Sequence, residues 1–323
     1  MYEVKIVGTG SYAPSNIISN EDMSKVVDTN DEWIKSRTGI RERRISKEEN
    51  TSQLSIEAAK RALDSANLKP EDVDLIVLAT LTPDCFIPST ACLVQKEIKA
   101  VNATCFDISA ACTGFIYALN IASQFIKTGQ HKTALVIGAE VLSKVVDWKD
   151  RNTCVLFGDG AGAAILQRSN EKGIISEYTG SDGSKGEHLE CDAIPLRSFL
   201  VEEEEVTSNF VSMNGREIFK FATHVMVECI NKVLQDAECS LDDIKYIIPH
   251  QANMRIIEYV CKKLKIDKEK FFINLDRYGN TSGASIAIAL DEAAQQGLFN
   301  KGDKIILVGF GGGLTYGAQL IQW

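Results

Sequence analysis

Residues 106–115 read FDISAACTGF. A β-type run from Cys105 to Ile108 stops at the small residues Ser109, Ala110 and Ala111. Cys112, Thr113 and Gly114 follow, and then the apolar helical run FIYALNIASQFIKTG, which ends at Gly129. A strand that turns sharply into a helix places the Cys112 thiol at the helix N-terminus. There, unpaired backbone N–H groups and the helix dipole favour thiolate over thiol. Small residues on both sides leave a path for a substrate carbonyl to reach the sulfur. The plainer reading is a buried cysteine capping a core helix, because a free cysteine usually behaves as a small hydrophobe. The rest of the chain decides between the two.

The chain has 323 residues, 45% hydrophobic and 24% charged, enough for a substantial core in one large or two ordinary domains. Its net charge of −9 argues against nucleic acid as a partner, so any anionic ligand must be met by a local basic patch. Nine cysteines, without CxxC pairs or His-rich spacing, fit a reducing compartment and no structural zinc. The start, MYEVKIVGTGSYAP, reads as a strand rather than a signal peptide. No run approaches about 18 consecutive apolar residues, so no membrane span is expected. These features predict a soluble cytoplasmic protein.

Strands are expected at 4–12, Asp74–Thr80, Thr133–Val141, Ile244–Ile248, Phe271–Asn274 and Lys304–Phe310. FGDGAGAAIL reads as a break in a strand pair, with Gly158, Gly160 and Gly162 at a tight connection. Helices are expected at 51–67, after Pro88-Ser89, after Cys112, at Asn214–Glu238 and before Gly297. The acidic run Glu202–Glu205 reads as a solvated loop. His224 and Glu228 stand at i,i+4 but lack a third ligand, so a helix face is expected there rather than a metal site. In DTNDEWIKSRTGIRER, Trp33, Arg37, Arg41, Arg43 and Arg44 gather on a mostly polar segment. That segment admits two readings: a solvated helix and loop, or an anion site with an aromatic platform.

An internal repeat emerges. Asp243-Ile244 lies 171 residues after Asp72-Val73, and Gly309 lies 171 after Gly138. Asn280 lies 168 after Cys112, and Gly297 lies 168 after Gly129. The pattern is strand, loop, strand, small-residue turn, helix and strand, twice over. Repeated β/α units of this kind predict an α/β fold of two pseudo-symmetric halves, residues 1–170 and 171–323, with mixed sheets flanked by helices. On that reading Cys112 and Asn280 occupy corresponding turns, and His250 ends the strand that matches Asp74–Thr80. All three side chains then face one cavity at the junction of the halves. Read alone, the histidine of PHQAN is more often a structural hydrogen-bonder; beside Cys and Asn in a symmetric layout it becomes a candidate catalytic group. Gly311-Gly312-Gly313 adds free backbone N–H groups after a buried strand, the material of an oxyanion hole.

The motifs NDEWIKSRTGIRER, FDISAACTGF, FGDGAGAA, PHQANMRII, DRYGNTSGAS and GFGGGLTYG together resemble the β-ketoacyl-acyl-carrier-protein synthase III family over essentially the whole chain. The resemblance implies a thiolase-like fold and the initiating condensing step of type II fatty-acid synthesis, from an acyl-CoA primer and malonyl-acyl carrier protein. It implies Cys112 as nucleophile with His250 and Asn280, and an oxyanion hole of the Cys112 and Gly312 N–H groups. Coenzyme A is expected to meet Trp33 and Arg151 at its adenine, helped by Thr29, and Arg37 at its phosphates. Gly215, Phe219 and Asn253 would line the pantetheine channel. Lys220, Arg255 and Lys263 would dock the carrier protein. A homodimer is implied, with no metal or redox cofactor and no membrane or nucleic-acid partner. Ile87 stands where acetyl-preferring relatives often carry Phe at the end of the acyl pocket, contributed across the dimer. That smaller side chain predicts acceptance of four-carbon or branched primers besides acetyl.

Two rivals come from other classes. The order Cys…His…Asn also marks papain-like hydrolases, which need a thiolate–imidazolium pair and an open water path. A non-catalytic acyl-CoA-binding protein would tolerate loss of Cys112. Within the superfamily, a thiolase would carry a second Cys at position 280 and an elongating synthase a second His. A polyketide or quinolone starter enzyme shares the chemistry implied here.

Overall fold

The computed structural model describes residues 1–195 and 209–323, so the acidic run Glu202–Glu205 lies outside the described residues. Five strands form the first sheet: β1 (Glu3–Tyr12), β2 (Leu75–Ala79), β3 (Thr104–Ile108), β4 (Thr133–Glu140) and β5 (Gly160–Ser169), in the order β1-β5-β4-β2-β3. Four form the second: β6 (Ile174–Ser181), β7 (Ile244–Pro249), β8 (Lys304–Gly311) and β9 (Thr315–Gln322), in the order β7-β8-β9-β6. Both are mixed. β2 runs parallel to β3 and β4, and β7 parallel to β8; the remaining pairs are antiparallel. The strand expected at Phe271–Asn274 is reduced to one parallel bridge, Ile247 to Phe271, at the edge where β3 sits in the first sheet.

Among the described residues, seven helices of eight or more residues cover or separate the sheets: α1 (Asp31–Thr38), α2 (Thr51–Ala66), α3 (Thr90–Ile98), α4 (Gly114–Lys127), α5 (Gly215–Asp236), α6 (Met254–Leu264) and α7 (Ser285–Gln295). The period-2 pattern of the strands decides the layering. Leu75, Val77 and Ala79 of β2 pack with α4 and α7, while Ile76 and Leu78 pack with α2 and α3. In β8, Ile305 and Leu307 meet α4 and α7, while Ile306, Val308 and Phe310 meet α5 and α6. The order is therefore helices, sheet, helices, sheet, helices. Strands buried on both faces need unbroken apolar runs, which LIVLA and IILVGF supply. Each fully buried Leu or Ile stabilises these layers by about 1.5–3 kcal/mol.

The repeat has a local physical cause. Asp72 and Asp243 each close a 3-10 turn by accepting from the Lys69 and Ser240 N–H groups, at 2.9 and 2.8 Å, just ahead of β2 and β7. A second pair of 3-10 turns, Ala111–Thr113 and Ser282–Ala284, precedes α4 and α7, and each contains a left-handed residue: Ala111 at φ 45° and Ser282 at φ 48°. These turns are 171 residues apart, so the counterpart of Cys112 is Gly283, not Asn280. The offset falls to 168 only along the helices, because α7 has 11 residues where α4 has 14. Gly138 is glycine for contact: a Cβ there would lie 2.2 Å from the Gly283 carbonyl oxygen, so β4 and the α7 turn touch backbone to backbone.

Two other expectations change. FGDGAGAA does not break a strand pair. Arg151–Cys154 is a single helical turn, and Gly160 opens one strand, whose Gly162 admits Ala287 of α7. Arg43 leaves the cluster around Trp33. Its guanidinium is fully buried and donates to the carbonyls of Ile18 and Val155 and to Asn20 Oδ1. Arg44 instead lies over the Tyr278 ring.

Candidate active site

Cys112 lies in the 3-10 turn before α4 and is 7% exposed. The turn is held by Thr113 Oγ1, which lies 2.8 Å from the Ala110 carbonyl and 2.7 Å from Thr315 Oγ1 and gives its one hydrogen to either. Thr315 in turn donates to the Gly312 carbonyl at 3.0 Å, so the Gly311–Gly313 turn is stapled to the cysteine turn. A Cβ on Gly311 would lie 2.7 Å from the Cys112 nitrogen, which excludes any larger residue there. Cys112 and Gly312 line one cavity of about 760 Å³, together with Leu81, Phe86, Leu142, Phe157 and Phe210.

Asn280 and His250 are both buried. Asn280 is clamped by backbone: its N–H donates to Leu156, and its carbonyl accepts from Gly158. Asn280 Oδ1 accepts from the Ser282 N–H at 2.8 Å, which leaves its NH₂ as the free end. His250 directly follows β7 and sits edge-on to Phe310, with its Nδ1 2.6 Å from Ser285 Oγ. Burial alone drives the imidazole pKa down to about 3, so the ring is neutral at physiological pH. The turn from Asn280 to Ser285 thus supplies one candidate group, touches the second through Ser285, and places the Ser282 hydroxyl beside the third.

The expectation of a thiolate at rest is corrected. Burial pushes the Cys112 thiol up to about 12; the nearby Ser282 hydroxyl opposes that shift and the Glu140 carboxyl adds to it. Desolvation outweighs the helix terminus because α4 starts inside the protein, away from water. The resting group is a thiol, so a thiolate–imidazolium pair of the papain kind does not form between it and a neutral His250.

Glu140, at the end of β4, is a buried carboxyl that sequence reading passed over; its only signal is an acid closing an otherwise apolar strand. One oxygen, Oε2, accepts from Thr82 Oγ1 at 2.7 Å, the Leu81 N–H at 3.1 Å and Thr80 Oγ1 at 3.2 Å. It pins the loop that lines the Cys112 cavity. Burial raises its pKa to about 7, against those hydrogen bonds. A carboxyl raised in the folded state keeps its full contribution to stability below its unfolded pKa and loses it as pH rises through the folded value. Glu140→Gln keeps the three-donor acceptor and removes the titration. The variant is expected to gain on the parent from about pH 4.5 to about pH 7, by on the order of 3 kcal/mol. Urea unfolding at pH 5 and pH 8 checks this; a difference independent of pH would refute it.

A second cavity, of about 970 Å³, brings together Trp33 and Arg37 of α1, Gly215, Phe219 and Lys220 of α5, and Asn253 and Arg255 at the start of α6. It shares Phe210 and Val211 with the cavity of Cys112. The Arg37 and Arg151 guanidiniums lie 5.1 and 4.8 Å from the centre of the Trp33 ring. Arg151 donates to the Asp28 carbonyl, beside Thr29, whose buried hydroxyl has no protein partner among the described residues. Asn253 caps α6, which brings Arg255 to the rim. Lys220 and Lys263 meet along an adjoining groove that also holds Tyr259. His224 and Glu228 pair at 3.7 Å on the exposed face of α5. Ile87 is 88% exposed and, unlike Phe86, lines neither cavity within its own chain.

Two matched β/α halves, with a buried cysteine at a helix start where they meet, define a thiolase-like protein. Models of two regions of 3-oxoacyl-[acyl-carrier-protein] synthase III match residues 106–183 and 234–323. Beta-ketoacyl-[acyl-carrier-protein] synthase III of Clostridium novyi (strain NT) is 63% identical over 100% of both chains. The synthase III of Clostridium acetobutylicum is 58% identical over 100% of this chain and 99% of its own. Among solved structures, synthase III of Aquifex aeolicus VF5 superposes with TM-score 0.93 at 51% identity, covering 99% of this chain and 100% of that one. The priming β-ketosynthase of the R1128 polyketide pathway reaches TM-score 0.93 at 34% identity, covering 99% and 96%. The chain belongs to the 3-oxoacyl-[acyl-carrier-protein] synthase III family.

Proposed function

We propose that this chain condenses an acyl-CoA primer with malonyl-acyl carrier protein, releasing carbon dioxide and giving a β-ketoacyl-carrier protein that starts a fatty acid. The observation that carries the reading is the Asn280–Ser285 turn, which joins the surroundings of Cys112, His250 and Asn280 at one point. Cys112 sulfur attacks the primer thioester, its proton leaves with the coenzyme A thiol, and an acyl-cysteine remains. The N–H groups of Cys112 and Gly312 hold the tetrahedral oxyanion. Malonyl-carrier protein then loses carbon dioxide, and the enolate oxygen accepts from neutral His250 and from the Asn280 amide. The enolate carbon attacks the acyl-cysteine carbonyl, the C–S bond breaks, and Cys112 leaves as thiolate and takes a proton from solvent. No step needs a metal or a redox cofactor.

The Trp33 stack with Arg37 and Arg151 supports adenine and phosphate binding there, and Gly215, Phe219 and Asn253 support a pantetheine path. Thr29 supplies an unpaired hydroxyl beside it. Phe86 and Ile87, 75% and 88% exposed, form an apolar tip that supports a homodimer in which a second copy covers it. Nine cysteines without a disulfide fit a reducing cytoplasm. No helix among the described residues is long and apolar enough to cross a membrane. The relatives at 58–63% identity favour fatty-acid initiation over the polyketide starter role of the neighbour at 34%. The test is product analysis by mass spectrometry with acetyl-CoA and malonyl-carrier protein. Free acid in place of a β-ketoacyl-carrier would show a hydrolase, and no turnover with retained acyl-CoA binding would show a binding protein.

An acidic chain recruits an acidic carrier protein through a local field, and Lys220, Arg255 and Lys263 support such a patch. Arg255→Glu is expected to raise KM for malonyl-carrier protein by on the order of tenfold at low salt, less at high salt, and to spare acylation by acyl-CoA. Equal damage to both half-reactions would place Arg255 in the shared channel instead.

A further inference from the structure

We propose that Ser285 is a positioning residue that holds His250 as the tautomer with its hydrogen on Nε2, making it an obligate donor and not a base. The proposal rests on the functional reading above for its consequence, and on hydrogen-bond geometry for its substance. His250 Nδ1 and Ser285 Oγ are 2.6 Å apart, and each residue is 2% exposed. Two arrangements are open to such a pair: the hydroxyl donates to Nδ1, or Nδ1–H donates to the hydroxyl. The Gln251 N–H also points at Ser285 Oγ, at 3.4 Å, and an N–H can only donate. If Nδ1 donated as well, the oxygen would accept twice, and its own hydrogen would have no acceptor within reach among the described residues. A buried hydroxyl left so is costly. Donation from Ser285 to Nδ1 gives the hydroxyl hydrogen an acceptor and leaves the oxygen open to the Gln251 N–H. Nδ1 is then the acceptor, and the hydrogen of the neutral ring stands on Nε2.

The repeat supplies an internal control. The residues 171 places before His250 and Ser285 are Ala79 and Gly114, which end β2 and begin α4. They meet in the same way: a Cβ on Gly114 would lie 2.8 Å from the Ala79 Cβ. The architecture therefore brings a strand end against a helix start in both halves. Only the second half fills that contact with a histidine and a hydroxyl, so helix packing alone does not require them. Phe310, edge-on at 5.3 Å, limits rotation of the ring. An Nε2–H cannot take the thiol proton of Cys112. It can only donate, which is what an enolate oxygen needs.

The four histidines of the chain make the tautomer directly readable. The full-length enzyme labelled with ¹⁵N-histidine is examined by long-range ¹H–¹⁵N spectra, with His250→Ala assigning the signal. The expected result is a neutral ring with the Nε2–H pattern, unchanged from about pH 5 to pH 9. An Nδ1–H pattern, or a ring that protonates in that range, overturns the proposal. Ser285→Ala is expected to lower kcat for malonyl-carrier decarboxylation by about tenfold and to leave KM within about twofold. Unchanged kcat in a folded Ser285→Ala enzyme also overturns it. Should that variant not fold, the native spectrum decides alone. Decarboxylation persisting in His250→Ala would instead defeat the functional reading, while the spectrum still decides the tautomer.

Discussion

Cys112→Ala is expected to abolish transfer of the acyl group from acyl-CoA, with a fall on the order of 10⁵ or more in rate. The expectation rests on position. Cys112 is the middle residue of the turn before α4, lines the 760 Å³ cavity, and approaches the Gly311 turn so closely that only glycine fits there. Eight other cysteines are present, so reactivity in itself does not single it out. Among them, Cys85 and Cys191 line the same cavity and provide the internal competitors. Intact-mass measurement after incubation with acyl-CoA reads the outcome. One acyl adduct in the parent and none in Cys112→Ala supports the assignment; an adduct that persists defeats it. Malonyl decarboxylation is expected to survive in the variant, because it draws on the other two groups.

His250→Ala and Asn280→Ala are expected to show the reverse pattern. Each removes one donor to the enolate oxygen and costs on the order of 10²–10³ in decarboxylation, while each still accepts an acyl group. For Asn280 the geometry names the donor. The Ser282 N–H occupies Oδ1, so NH₂ is the end left for substrate. Asn280→Asp is therefore expected to lose as much as Asn280→Ala, since a carboxylate offers no donor. For His250, a pKa near 3 means that the ring stays neutral, with a single hydrogen, through the ordinary histidine range. Carbon dioxide release in the absence of primer measures this step. Loss of acylation with decarboxylation intact, in either alanine variant, would show that the assignment is wrong.

What could be read from the chain alone was whatever local chemistry enforces. Apolar runs such as LIVLA and IILVGF specify buried strands, Asp72 and Asp243 close the turns before them, and small residues flank Cys112. Those signals carry the repeat, the mixed sheets and the neighbourhood of Cys112, and the motifs carry the family. Matching by residue type then paired Cys112 with Asn280. The structure pairs Cys112 with Gly283, because the three-residue difference between α4 and α7 lies inside the helices and not before them.

Burial lay beyond the sequence for a related reason. Among the arginines of residues 37–44, Arg37 stacks on Trp33 while Arg43 disappears into the core. Nothing in the segment distinguishes them, since Val155, more than a hundred residues away, provides the acceptor. The helix start at Cys112 predicts a thiolate only in a wet site, and the packing of two halves around α4 makes the site dry. The same packing brings Ser285 against His250 and sets which ring nitrogen keeps its hydrogen. Sequence by itself determined which chemical groups stand at the ends of which strands and helices. Tertiary structure decided their protonation, because desolvation and hydrogen-bond partners come from residues far apart in the chain.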